Sequence, residues 1–222
     1  MTHGTSLPES LAGALRMKVA LLTPFLRGRR TTWGSTPEER DRTWPGDELI
    51  PTLSWQATMA ITVAAPPDRV WPWVAQIGQG RGGFYSYERL ENLAGCRIKN
   101  ATTVIEDLQA ISVGDEIRLH PKAPPLDVVL VEKDRALVLY GGPPGPGGPG
   151  TDPPNVDIAT SWAILLDPFG GGSTRLISRT RYRHGPGFKN ALAGGPPLLE
   201  PISSVMTKKM LRVIKGLVEE GR

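Results

Sequence analysis

The chain has 222 residues, 39% hydrophobic and 22% charged, which suits one domain with its own core plus an appendage better than two equal domains. Its 26 Gly and 22 Pro argue against a plain helical bundle and predict a turn-rich fold. The net charge of +4 is spread over small groups (Arg27, Arg29 and Arg30; Arg179, Arg181 and Arg183; Lys208, Lys209, Arg212 and Lys215) without a long basic run or a nucleic-acid motif. That pattern describes a solvated surface, and no nucleic-acid partner is expected.

Cys96 is the single cysteine, so no internal disulfide forms, in agreement with a reducing cytoplasm. His3, His120 and His184 are isolated, Cys96 has no Cys or His partner nearby, and no carboxylate cluster shows ligand spacing, so no metal is expected. No G-x-S-x-G elbow is present, and no other cofactor is implied.

In chain order, Leu11 to Leu26 is apolar but interrupted by Arg16, Lys18 and Pro24, and it falls short of a membrane span. Arg27-Gly28-Arg29-Arg30 stands where a signal peptide would be cleaved, which argues against a secretory signal. Leu15, Val19, Leu22 and Leu26 share a face at helical spacing, so a short amphipathic helix is expected there. Docking on the domain is the simpler role for it; rest on a membrane surface is the alternative. Thr36-Pro37-Glu38-Glu39 reads as a capped helix start, and Trp44-Pro45-Gly46-Asp47 as the turn that ends it.

From Gln56 to Val63 the residues alternate in polarity as a strand does. Pro66-Pro67-Asp68 opens a helix with Val70, Trp73, Val74 and Ile77 on one face, and Pro72 limits its length. A glycine-rich turn, Gly78 to Gly83, leads to a second short helix over Ser86 to Leu93, with Leu90, Leu93 and Ala94 expected inward. Strands follow at Glu116–His120, Leu126–Glu132, Ala136–Tyr140, Thr160–Leu166 and Thr174–Arg183, with a Gly/Pro loop from Gly141 to Pro154 at a hairpin tip. A long helix closes the chain from about Pro197 to Glu220. Its apolar stripe (Leu199, Ile202, Met206, Met210, Val213, Leu217) needs a broad apolar partner, and its length of about 33 Å spans a domain.

Gly78 to Gly83 matches the letters G-x-G-x-x-G, but a dinucleotide turn needs a strand before it, and here the preceding segment is helical. A plain inter-helix turn is the simpler reading. The polar and aromatic cluster Arg81, Phe84, Tyr85, Tyr87, Glu88, Glu91 and Asn92 suits either a pocket mouth or a packed surface in which Arg81 pairs with Glu88 or Glu91. Glu91 would serve as a general base if buried. On the last strand Arg175, Arg179, Arg181 and Arg183 share one face, expected to be the solvated outer side. Thr180 and Tyr182 share the other. The inverse assignment would place Arg179 and Arg181 inside as anchors for an anionic head group.

The order strand, two short helices, antiparallel strands and long C-terminal helix resembles the helix-grip fold of the SRPBCC superfamily (START-like, Bet v 1-like, polyketide cyclase-like). Ile61-Thr62-Val63-Ala64-Ala65-Pro66-Pro67-Asp68-Arg69-Val70-Trp71 resembles that family's first strand and helix, and Gly78 to Asn92 (GQGRGGFYSYERLEN) resembles a bacterial branch of it. Val113-Gly114-Asp115 before a strand fits as well. The resemblance covers Gln56 to Leu217 and implies an α+β domain over residues 51–222, with residues 1–50 as an N-terminal extension. It implies a curved antiparallel sheet wrapped around the last helix, with an internal cavity for an apolar small molecule such as a lipid or polyketide. It implies no fixed catalytic set.

The expected ligand-binding residues are Arg81, Tyr85, Tyr87 and Glu91 near the mouth and Trp162, Thr180 and Tyr182 on the wall. The alternative is a cyclase or aromatase-like enzyme with Glu91 and Tyr85 as catalytic candidates. A third possibility is an interaction module that uses the N-terminal helix or the Gly/Pro loop.

Overall fold

Strand β1 (Trp55–Val63) pairs antiparallel with β6 (Ser173–His184), in a register that runs from Trp55 opposite Tyr182 to Val63 opposite Thr174. The computed structural model describes residues 7–142, 158–187, 190 and 195–221. The sheet continues through β5 (Ile158–Phe169), β4 (Ala136–Gly141), β3 (Leu126–Glu132) and β2 (Glu116–Ile117), in the spatial order β1-β6-β5-β4-β3-β2 and antiparallel throughout. The Gly/Pro stretch expected as a hairpin tip lies mostly outside the described residues. β2 is shorter than its sequence pattern because the Arg118 carbonyl accepts from the Gln79 N–H of the glycine turn and leaves the ladder.

Between β1 and β2 lie α4 (Pro67–Ala75) and α5 (Glu88–Leu93), preceded in the chain by α1 (Leu7–Leu22), α2 (Arg27–Thr31) and α3 (Pro37–Asp41). α4 stops after nine residues, three beyond Pro72, and buries Val70, Trp73 and Val74. The last helix, α6 (Leu199–Glu219), crosses the concave face of the sheet. Its C-terminal half buries Met210, Leu211, Ile214, Leu217 and Val218 against β1, α4 and the inner sheet residues Met59, Val63, Leu139, Ile164 and Leu176. This is the helix-grip arrangement, α+β, with a single long helix held by a curved antiparallel sheet.

The outer face of the sheet is covered as well. Trp44 packs there with Ala60, Val138, Ala163, Leu165 and Ile177 as a second apolar layer. The arginine row of β6 lies on this face, as its alternation predicts, but it is not solvated. Arg175 pairs with Glu39 at 2.7 Å, and Arg179 and Arg181 pair with Asp47 at 2.7 and 2.8 Å beneath the segment that precedes β1. A buried guanidinium is tolerated only with such partners, and Glu39 and Asp47, both ahead of β1 in the chain, supply them. Glu39 also closes the capping box that Thr36 opens, so one carboxylate both starts α3 and holds it to the sheet.

Two expectations on the helices are corrected. α5 turns Leu93 outward, 86% exposed, and leaves Ala94 exposed, while Glu91 is the residue it buries. α1 does dock on the domain, but through Ser10, Gly13 and Ala20 rather than through the leucine face. Small residues let the helix lie close: a Cβ on Gly13 would come within 2.6 Å of the Tyr87 ring. α2 is fixed to α6 by Arg30, which pairs with the buried Glu200 at 3.0 Å, while Glu200 accepts from Ser204.

Candidate functional site

Beneath the N-terminal half of α6 the sheet and helix do not close on each other, and a cavity of about 220 Å³ remains. Its roof is the α6 face Leu199, Ile202, Ser203, Met206, Thr207 and Met210. Its floor comes from alternate residues of neighbouring strands, Thr160 and Trp162 on β5 and Thr180 and Tyr182 on β6, which lie directly across the ladder as the pairs Thr160–Tyr182 and Trp162–Thr180. The third wall is the segment around α5: Phe84, Ser86, Glu91, Cys96 and Ile98.

That segment is held by its own polar clasps. Asn100 Oδ1 accepts from the backbone N–H groups of Phe84 and Tyr85, at 3.0 and 2.7 Å, and so steadies Tyr85 at a φ of 54°, a left-handed conformation costly for a bulky residue. Asn92 reaches across to both the N–H and the carbonyl of Ile98, closing the loop after α5. With both flanks fixed, the helix face that carries Glu91 is aimed into the cavity.

Glu91 is 5% exposed, and neither of its carboxylate oxygens has a hydrogen-bond partner among the described residues. Burial, and secondarily the neighbouring Glu88 carboxylate, push its pKa up to about 7. The Cys96 thiol is raised in turn, by burial and by Glu91. The Tyr182 phenol is raised by burial against a smaller opposing influence of the Thr160 hydroxyl, and its ring stacks on Trp55 at 4.5 Å. Trp162 donates its indole N–H to Ser178 at 3.0 Å, so it presents an apolar surface to the cavity. The lining is therefore apolar, with scattered hydroxyls and one unsatisfied acid poised to titrate near neutrality.

The structure gathers Glu91, Trp162, Thr180 and Tyr182 around one cavity and takes the other expected residues elsewhere. Tyr85 is fully buried in the core, edge-on to Trp73, and its hydroxyl accepts from Gln76 at 2.8 Å. Burial holds its phenol far above the ordinary range. Arg81 pairs with neither Glu88 nor Glu91; its guanidinium donates to the carbonyls of Ala75 and Leu108, both at 3.0 Å, and ties α4 to the later loop. Tyr87 lines a different cleft, between α1 and α6, where its hydroxyl accepts from Arg16 at 2.9 Å. In the glycine turn, Gly78 and Gly83 exchange backbone hydrogen bonds at 3.0 Å, and Gly82 donates to Gln76 at 2.7 Å, so these N–H groups face the protein. Gly83, at a φ of 79°, leaves no room for a Cβ against Asn100.

Ser203 and Thr207, one turn apart on α6, were not singled out in the sequence. The signal for them was a pair of small polar residues bordering an otherwise apolar stripe. Cys96 and Ser86 left no comparable signal.

No protein-family model matches the sequence, and no curated protein does. Solved structures with a similar arrangement include norcoclaurine synthase of Thalictrum flavum, 17% identical over 81% of this chain and 95% of its own, with a TM-score of 0.43. That enzyme has also been solved with dopamine and hydroxybenzaldehyde bound. A protein of Mesorhizobium loti is 14% identical over 76% of this chain and 99% of its own, with a TM-score of 0.40. CalU16 of Micromonospora echinospora is 13% identical over 74% of this chain and 84% of its own, with a TM-score of 0.31. The likeness is one of fold.

Proposed function

We propose that this chain is a small-molecule receptor of the SRPBCC superfamily, whose cavity under α6 takes an apolar molecule with one polar group directed at Glu91. The observation that carries the reading is the unpartnered, buried Glu91 carboxyl facing a mainly apolar lining with scattered hydroxyls. A buried acid without a partner costs stability, and a ligand that hydrogen-bonds to it recovers that cost. At about 220 Å³ the cavity lies below the range of about 300–1,000 Å³ usual for drug-sized ligands, so it favours a one- or two-ring molecule over a long acyl chain. Affinity comes chiefly from burying the ligand's apolar surface, at about 25 cal/mol per Å², and Glu91 sets its orientation.

The same residue supports a second reading, an enzyme of the cyclase or aromatase kind. A carboxyl with a pKa of about 7 both takes and returns a proton at neutral pH, as a general acid–base requires. In that reading Glu91 moves the proton and Tyr85, engaged by Gln76, acts by supporting the segment that carries it.

Titration with 2-naphthol, a two-ring probe with one hydroxyl, tests the proposal. The probe is expected to bind, Ile202→Trp is expected to abolish binding by filling the cavity, and Glu91→Gln is expected to remove the change in affinity between pH 5.5 and 8.5, a window on the order of the Glu91 titration. Binding that survives Ile202→Trp, or none by any one- or two-ring probe, would sink the proposal.

A further inference from the structure

α1 turns its small residues to the domain and its large ones to solvent. At about 100° per residue, Ser10, Gly13 and Ala20 occupy one side of the helix, and Leu11, Leu15 and Leu22 the opposite side. Leu11 is 68% exposed and Leu22 69%, and Phe25, just past the end of the helix, is 80% exposed. Isolated exposed leucines need no explanation, but a continuous stripe on a docked helix does. No described helix is long and apolar enough to cross a membrane, so whatever meets this stripe meets it from the side.

The charges around the stripe indicate its partner. In α1 and α2 the acid Glu9 is engaged by Lys209, and Arg30 is taken by Glu200, while Arg16, Lys18, Arg27 and Arg29 have no carboxylate partner among the described residues. Beside the stripe, the cleft between α1 and α6, about 650 Å³, is bordered by Leu15 and Val19 from this face and by Arg16, Arg29, Lys208 and Arg212. Lys208 and Arg212 lie over the Trp33 ring, 4.7 and 5.1 Å from its centre, again without a carboxylate. Burial, with Arg212 and Arg16 nearby, lowers the pKa of Lys208. A second copy of the chain would bring this cationic face against itself, which like-charge repulsion disfavours. An anionic bilayer offers both the apolar layer and the opposite charge.

We propose that the α1–α2 face docks this protein on the surface of a bilayer containing anionic lipid, the leucine stripe entering the acyl boundary and the cations of the α1–α6 cleft meeting lipid phosphates. Lys18, within the stripe, extends its stem along the helix and its ammonium to the head groups. The docking is independent of the ligand proposed for the cavity under α6.

Vesicle co-sedimentation of the full chain tests it. Binding is expected to vesicles of phosphatidylcholine with about one third phosphatidylglycerol, about tenfold or more weaker to phosphatidylcholine alone, and weaker still as salt rises. The double variant Leu11→Ser/Leu22→Ser is expected to lose about tenfold to a hundredfold in vesicle affinity with an unchanged melting temperature, because both side chains are exposed in the free protein. Equal binding to both vesicle types, no binding to either, or vesicle affinity unaltered by the double variant would overturn the proposal. So would a dimer in light scattering that the double variant dissolves. Retained 2-naphthol binding alongside lost vesicle binding separates this failure from that of the cavity reading.

Discussion

Glu88 and Glu91 stand one turn apart on α5, yet Glu88 accepts from the Asn100 backbone N–H at 2.9 Å while Glu91 faces the cavity without a partner. Glu91 is a buried acid without a partner, and the first consequence is in stability. The Glu91 pKa is raised from an ordinary 4.5 to about 7 in the fold. Below pH 4.5 the group is protonated in both folded and unfolded chains and contributes no difference. Between 4.5 and 7 the unfolded chain ionises first, so stability falls as pH rises and the full cost is present above 7. Glu91→Gln is therefore expected to leave stability unchanged at pH 4 and to raise it by up to about 3 kcal/mol at pH 8, read by urea unfolding across the range. A constant difference between the two proteins from pH 4 to 8 would contradict the burial of an ionisable Glu91.

How far this arrangement was legible beforehand differs by element. The stripe from Leu199 to Leu217 announced α6, and the alternation in Thr174–Arg183 correctly divided Thr180 and Tyr182 from the arginines, because both patterns follow from periods fixed by the backbone. The environment of each face was not legible. Nothing local to β6 shows that Asp47, more than 130 positions away, covers Arg179. On α5, hydrophobicity nominated Leu90 and Leu93 as the inward residues. The helix has only six residues, too few for its apolar content to decide its orientation, and the clasp from Asn92 to Ile98 decides it instead. α1 misled for a related reason: its docking face is marked by the small residues Ser10, Gly13 and Ala20, which hydrophobic periodicity does not pick out.

The Asp47 pairings give the second prediction. Burial alone would raise this carboxyl, but hydrogen bonds from Arg179 and Arg181 and from the Trp44 N–H outweigh it and hold the group below its ordinary value. A depressed pKa means that the stabilisation is present above the unfolded value and is lost as pH falls through the folded one. Asp47→Asn leaves Arg179, 5% exposed, without its counter-charge and is expected to cost about 3 kcal/mol at pH 7. The gap should narrow below the ordinary carboxyl range, where the native Asp47 is itself neutralised. Equal unfolding midpoints at pH 7 would mean that the remaining partners of Arg179, the Thr58 hydroxyl and the Arg40 carbonyl, suffice.

The third prediction concerns how α1 is held. A methyl group at Gly13 would lie 2.6 Å from two carbons of the Tyr87 ring, well inside contact distance. The ring has little freedom to retreat, since Tyr87 is buried and Arg16 donates to its hydroxyl. Alanine favours helix over glycine by about 1 kcal/mol, whereas overpacking a tight contact costs about 1–3 kcal/mol, so the clash should win. Because α1 reaches the domain mainly through α6 and α5 rather than through the sheet, the loss should appear locally. Gly13→Ala is expected to speed amide hydrogen exchange across Leu7–Leu22 while β1, β5 and β6 keep their protection. Exchange in α1 that stays the same or slows would mean that Tyr87 yields to the methyl group and the helix keeps its seat.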